Sequence, residues 1–242
     1  MRRRLSIGWS GWRRRILPHI GNDVVDLTNP ANVQRSTDLR LLKKILTDTE
    51  IDQVRSAREP AALLWSFWAC KEAAYKVMKK QTGDAAFLPR RWSVCFRRPQ
   101  AADLRSSLRP VEVQNQSPAA VTAGYVASAE RDDIPFLLHS FPSYVHSLAA
   151  DRIDLLDKIL WRVAVLPDGG EEGADPSAYV RACLKDDLSG FLRAERTRIH
   201  ICRAPCGRGE LDPPAVYLDG VQTPIEISLS HDGRFAAYAF LM

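Results

Sequence analysis

Apolar and polar positions change period several times along the chain, and each change marks an element. Residues 20–27, IGNDVVDL, are an apolar run interrupted by Asp23 and ended by Asp26, the pattern of a buried strand that Thr28-Asn29-Pro30 then turns. Residues 38–46, DLRLLKKIL, have helical spacing, and Thr47-x-x-Glu50 is a capping-box pattern opening another short helix. Pro60 starts a long helix, where its missing N–H costs nothing, and Thr82-Gly83-Asp84 stops it after about Lys80. Short β-patterned runs follow at 91–96, 121–128, 135–140 and 143–149, with 98–119 expected as a loop.

A second round of the same order begins at Leu160. LWRVAVLP (160–167) reads as a strand, 168–177 as a Gly-rich acidic loop and Tyr179 to Arg193 as an amphipathic helix. RIHICRA (198–204) is a strand, 204–214 an irregular link, and VYL, IEISLS and FAAYAFL are closing strands. Each round runs strand, helix, then strands, although sequence identity between them is negligible. The expected fold class is therefore α+β: two pseudo-symmetric halves, 18–150 and 151–242, each a long helix packed on a small antiparallel sheet.

Composition narrows the class. Hydrophobic content of 45% and charged content of 26% suit an ordinary globular protein, and no apolar run reaches the roughly 18 residues a membrane helix needs. The net charge of +5 belongs to one end: residues 1–20 hold six arginines and no Asp, Glu or Lys, and +5 − 6 leaves −1 elsewhere. Residues 1–17 are expected to form a poorly ordered basic extension; an upstream start codon or a patch for an acidic partner are the alternatives. The segment lacks the apolar core of a secretory signal. Five cysteines without such a signal read as free thiols of a cytoplasmic protein, and the Cys202-x3-Cys206 spacing lacks the second pair a structural zinc requires.

Three places carry polar residues where the pattern calls for apolar ones. Asp23 sits inside the first strand; a turn or cap role fits Asp26 better. Trp68, Glu72 and Lys76 fall at i, i+4 and i+8 of the long helix, on one face. An exposed Glu-to-Lys pair is the ordinary reading there, but Trp65, Phe67 and Trp68 mark a helix about to be buried, where charges need partners. Ser230-His231-Asp232-Gly233 separates two apolar strands, and Asp-Gly supports a hairpin turn in which His231 is incidental. Taken together, two carboxylates suit a hard divalent cation, and lysines with a histidine suit phosphate oxygens.

GND followed 49 positions later by the Glu of WACKEAAYK resembles the signature of the 4′-phosphopantetheinyl transferases, and ISLSHDGRFAAYAF resembles a closing segment of the same superfamily. The resemblance implies that coenzyme A binds between two α+β halves and that its phosphopantetheine arm passes to a serine of an acyl or peptidyl carrier protein. Adenosine 3′,5′-bisphosphate would be the second product. Carried over by position, Asp23 and Glu72 become ligands of Mg2+, with Mn2+ as a substitute. Lys71 and Lys76 become phosphate contacts, Lys76 also acting on the transition state, and Ser230 and His231 meet the coenzyme A phosphates. The serine proton goes to Glu72, directly or through a metal-bound water.

Two departures from the family pattern stand out. Val25 occupies the position where the surfactin-synthetase-type enzymes of the family carry a second strand acid, and Asp26, one residue further, should point away from the site. The Asp…Lys-Glu motifs also precede the Ser-His segment, the order of a small holo-acyl-carrier-protein synthase subunit in a chain of double length. Tyr144-Val145-His146-Ser147 is the candidate first-half version of the closing segment, which gives one site between the halves of a monomer. The rival readings are a non-catalytic binder of coenzyme A or a carrier protein, and a basic nucleic-acid-binding protein. Against the latter stands the near-neutral body.

Overall fold

The computed structural model describes residues 18–97, 117–129, 131–167, 175–203 and 212–242. The arginine-rich segment 1–17 and most of the expected loops at 98–119, 168–177 and 204–214 lie outside the described residues. The chain is of the α+β class, with antiparallel sheets. Among the described residues no helix is long and apolar enough to cross a membrane.

Strand β1 (Ile20–Asp26) is followed by three short helices, α1 (Pro30–Val33), α2 (Leu39–Ile45) and α3 (Asp48–Ser56). Each is capped by the residue before it. Asn29 accepts the Ala31 N–H, Asp38 those of Arg40 and Leu41, and Thr47 and Glu50 form the reciprocal capping box. Helix α4 (Pro60–Thr82) has Pro60 in its first turn and ends at Gly83, whose φ of 74° is the left-handed conformation glycine adopts without strain. Strands β2 (Trp92–Phe96), β3 (Ala120–Ser128), β4 (Arg131–Ser140) and β5 (Tyr144–Ala150) complete a five-stranded sheet of order β1-β5-β4-β3-β2.

After a 3-10 turn come β6 (Leu160–Val165), α5 (Pro176–Leu192), β7 (Ile199–Cys202), β8 (Ala215–Leu218), β9 (Val221–Gln222), β10 (Glu226–Asp232) and β11 (Phe235–Leu241). They form two three-stranded sheets, β10-β11-β6 and β7-β8-β9. Helix α5 starts three residues earlier than its periodicity predicts, because Asp175 accepts the Ser177 N–H and Pro176 fits the first turn. Between β10 and β11 the turn is Gly233-Arg234, so Ser230, His231 and Asp232 belong to β10 itself rather than to the hairpin turn.

Strand alternation sends β1 into two cores. Val25 joins the apolar core beneath α4, whereas Ile20 and Val24 pack with Trp161, Ala237 and Ala239 of β6 and β11. A third core lies under α5, from Val180, Leu184 and Leu188 to Phe240. Gly21 faces α4 so closely that a Cβ there would stand 2.0 Å from the carbonyl oxygen of Ala73.

That approach brings Asp23 against α4 and generates a prediction. Gly21→Ala forces strand and helix apart and is expected to lower stability by about 3 kcal/mol, at the upper end of overpacking costs. Urea unfolding measures this, and an unchanged midpoint contradicts the packing described.

Candidate functional site

A cavity of about 330 Å³ opens where α4, β1, α5 and β10 meet. Asp23 of β1 and Trp65, Trp68, Glu72 and Lys76 of α4 form one wall. The opposite wall is Arg181 of α5, Arg203, and Ser230, His231 and Asp232 of β10. The helical spacing of Trp68, Glu72 and Lys76 puts all three on one face, and Trp65 joins them one turn earlier. Such a volume suits a small-molecule ligand, and the polar groups converge on it from both ends of the chain.

The two carboxylates are in an unfavourable state by themselves. Burial raises the Asp23 carboxyl above the usual range against the opposing effect of Lys76, whose Nζ donates to Asp23 Oδ1 at 3.0 Å. Burial, reinforced by the Asp23 charge, pushes Glu72 up to about 7. Two mutually repelling acids beside one lysine are what a divalent cation relieves. Among the described residues no cluster of three His, Cys, Asp or Glu side chains is arranged to hold a metal; Asp23 and Glu72 are the neighbouring pair of carboxylates. Magnesium accepts such a set, because water and substrate phosphate complete its octahedron.

Positive charge faces them. Lys76 Nζ also donates to the Asn22 carbonyl, 2.7 Å away, which holds it at the cavity wall. Arg181 is anchored by its own helix, donating to the Ser177 carbonyl at 2.7 Å. Burial, with repulsion from Arg181, lowers the Arg203 pKa. Two guanidinium groups crowded on one rim form a place that an anion would stabilise.

Lys71 departs from the expectation of a phosphate contact. It is fully buried, and its Nζ donates to Glu50 Oε2 at 2.5 Å and to the Ile45 carbonyl at 3.0 Å. The reason is helical geometry: consecutive residues point about 100° apart, so Lys71 turns to α3 while Glu72 turns to the cavity. Glu50 is otherwise satisfied by the Thr47 and Val94 N–H groups. The pair is therefore a buried structural ion pair, signalled in the sequence only by the capping box.

Asp26 points away from the cavity, as a regular strand requires. It accepts from Thr28 and Arg234, and these bonds outweigh burial and bring its pKa down to about 2. Val25 lines the cavity at the position two after Asp23. In β5, Ser147 pairs with Asp23 in register and His146 is wholly buried, but neither lines the cavity. Arg181 and Arg203 went unread in the sequence, and Asp232 was read as part of a hairpin turn. A basic residue on an amphipathic helix or beside a loop looks like ordinary surface.

Residues 19–130 match the family model of the 4′-phosphopantetheinyl transferase superfamily. That segment contains Asp23, Glu72 and Lys76, whereas Ser230 and His231 lie beyond it. Holo-[acyl-carrier-protein] synthases from two strains of Leptospira biflexa serovar Patoc are each 30% identical to the chain over 67 residues. The match takes in 28% of this chain and 53% of theirs, so the chain spans about half the length of the curated relatives it matches.

The state of Glu72 predicts a pH dependence. Its folded pKa is raised from 4.5 to about 7, so between those values the native state holds a proton that the unfolded chain has released. Stability contributed by this group is then lost as pH rises through the window. In chelator-treated protein the thermal midpoint is expected to fall from about pH 5 to about pH 8 more steeply in wild type than in Glu72→Gln. Parallel curves contradict the burial and repulsion described.

Proposed function

We propose that the protein is a 4′-phosphopantetheinyl transferase that moves the phosphopantetheine arm of coenzyme A to a serine of an acyl or peptidyl carrier protein. The observation that carries this reading is the meeting of Asp23, Glu72 and Lys76 with Ser230 and His231 around one cavity. Asp23 and Glu72 would hold Mg2+, or Mn2+ in its place, which would supply neutralisation of pyrophosphate charge. Lys76 contacts the reacting phosphate and steadies the charge that grows on it, while Ser230 and His231 contact coenzyme A from β10. Arg181 and Arg203 add positive charge for the remaining phosphate. Lys71, paired with Glu50, takes the structural role of holding α4 on α3.

The carrier serine oxygen attacks the β-phosphorus in line, and the bond to the bridging oxygen breaks to release adenosine 3′,5′-bisphosphate. Glu72 receives the serine proton through a carboxylate oxygen. Trp65 and Trp68 line the floor and keep water from competing.

The same reading takes 18–150 and 151–242 as two related halves behind a basic extension, 1–17. It is supported by strand pairing: β1 pairs with β5, the last strand of the first half, and β6 with β11, the last strand of the second. A monomer then contains a complete site and acts in the cytoplasm. The test is the intact mass of an apo carrier protein after incubation with the enzyme, coenzyme A and Mg2+. The expected result is a gain of one phosphopantetheine arm, reduced at least about 100-fold in rate by Glu72→Ala. No gain across fatty-acid, polyketide and peptide carriers, with coenzyme A still bound, identifies a non-catalytic binder instead.

A further inference from the structure

Asn22 is the odd residue of β1. It shares a strand face with Ile20 and Val24, which pack in an apolar core, yet it is a polar residue at 0% exposure. A buried amide there costs stability unless its partners repay it. Those partners come from elements at both ends of the chain. Asn22 Nδ2 donates to Ser230 Oγ at 3.1 Å, and lies 3.3 Å from His146 Nε2. The Asn22 N–H donates to Ser228 Oγ at 2.9 Å, and its carbonyl receives the Lys76 ammonium at 2.7 Å. One residue thus touches a lysine on one cavity wall and a serine on the other, although it does not itself line the cavity.

We propose that Asn22 is a positioning residue of this site, fixing the Ser230 hydroxyl of β10 relative to the Lys76 ammonium of α4. The inference rests on the function proposed above and adds a residue to it. His146 holds the amide from behind, and burial keeps that imidazole neutral. With Nδ2 engaged, the Ser230 hydroxyl hydrogen is left to turn toward a phosphate oxygen. Removing the amide leaves the backbone bonds to Lys76 and Ser228 in place and, on the cavity side, releases Ser230; the other partner it frees, His146, does not line the cavity. Asn22 therefore acts on the ligand through Ser230.

A double-mutant cycle read by coenzyme A affinity tests this. Isothermal titration with coenzyme A and Mg2+ is run on wild type, Ser230→Ala, Asn22→Ala and the double variant, with thermal melts confirming that each is folded. Each single substitution is expected to weaken binding about 10-fold, the size of one lost hydrogen bond to a charged ligand. The double variant is expected to be no weaker than Ser230→Ala, because the amide has nothing left to position. The KM for the carrier protein stays within about twofold in Asn22→Ala, which general loosening of the fold would not spare.

Additive losses, about 100-fold in the double variant, or full affinity in Asn22→Ala, overturn the inference while leaving the proposed function standing. If Asn22→Ala does not fold, Asn22→Thr completes the same cycle: it suits a strand and keeps a hydroxyl, but is too short to reach Ser230 and His146 together. Wild-type protein that binds no coenzyme A overturns the proposed function, and the inference with it.

Discussion

The structure depends on how the outer edge of β1 is satisfied. This strand ends the five-stranded sheet, and an edge strand presents backbone groups that must find partners when buried. Among the described residues no further strand supplies them. Lys80 donates to the Ile20 carbonyl and Lys76 to that of Asn22, both from α4. Ser228 accepts from the Asn22 N–H and Asp232 from the Asp26 N–H, both from β10. Side chains of the long helix and of the closing hairpin thus do the work of a neighbouring strand, and the edge holds the first and last parts of the chain together.

The cavity follows from that arrangement. Because α4 is drawn onto β1, with only a glycine between the strand and Ala73, Asp23 is brought to the helix face that carries Glu72 and Lys76. Because even-numbered side chains of β10 reach β1, His231 between Ser230 and Asp232 is left free to face solvent at the cavity mouth. Burial then sets the electrostatics: three carboxylates, Asp23, Glu72 and Asp232, raised above their ordinary range, and two arginines crowded on one rim. A ligand that brings a divalent cation and phosphates relieves both conditions at once.

Local signals made much of the fold legible. The capping box at Thr47, Pro60 and Gly83 at the ends of α4, and the short strand-like runs of β5 and β11 all act within a few residues, and the elements follow them. The face holding Trp68, Glu72 and Lys76 was readable for the same reason, since helical spacing alone defines it. Lys71 was not: its partner Glu50 lies 21 residues earlier, and only the packing of α3 on α4 decides that the pair is buried. Asn22 escaped notice because its side-chain partners come from other parts of the chain, and Arg181 and Arg203 because each by itself looks like ordinary surface. The start of α5 was missed for a smaller cause, an Asp175-Pro176 cap read as loop.

The central claim is that one ligand is held jointly by the β1–α4 wall and the β10 wall. A crystal structure with coenzyme A and Mn2+, using the anomalous signal of manganese, tests it most directly. The account predicts a manganese peak between the Asp23 and Glu72 carboxylates, with the pyrophosphate in contact with Lys76 on one side and with Ser230 or His231 on the other. Manganese away from those two carboxylates, or coenzyme A touching one wall alone, contradicts it.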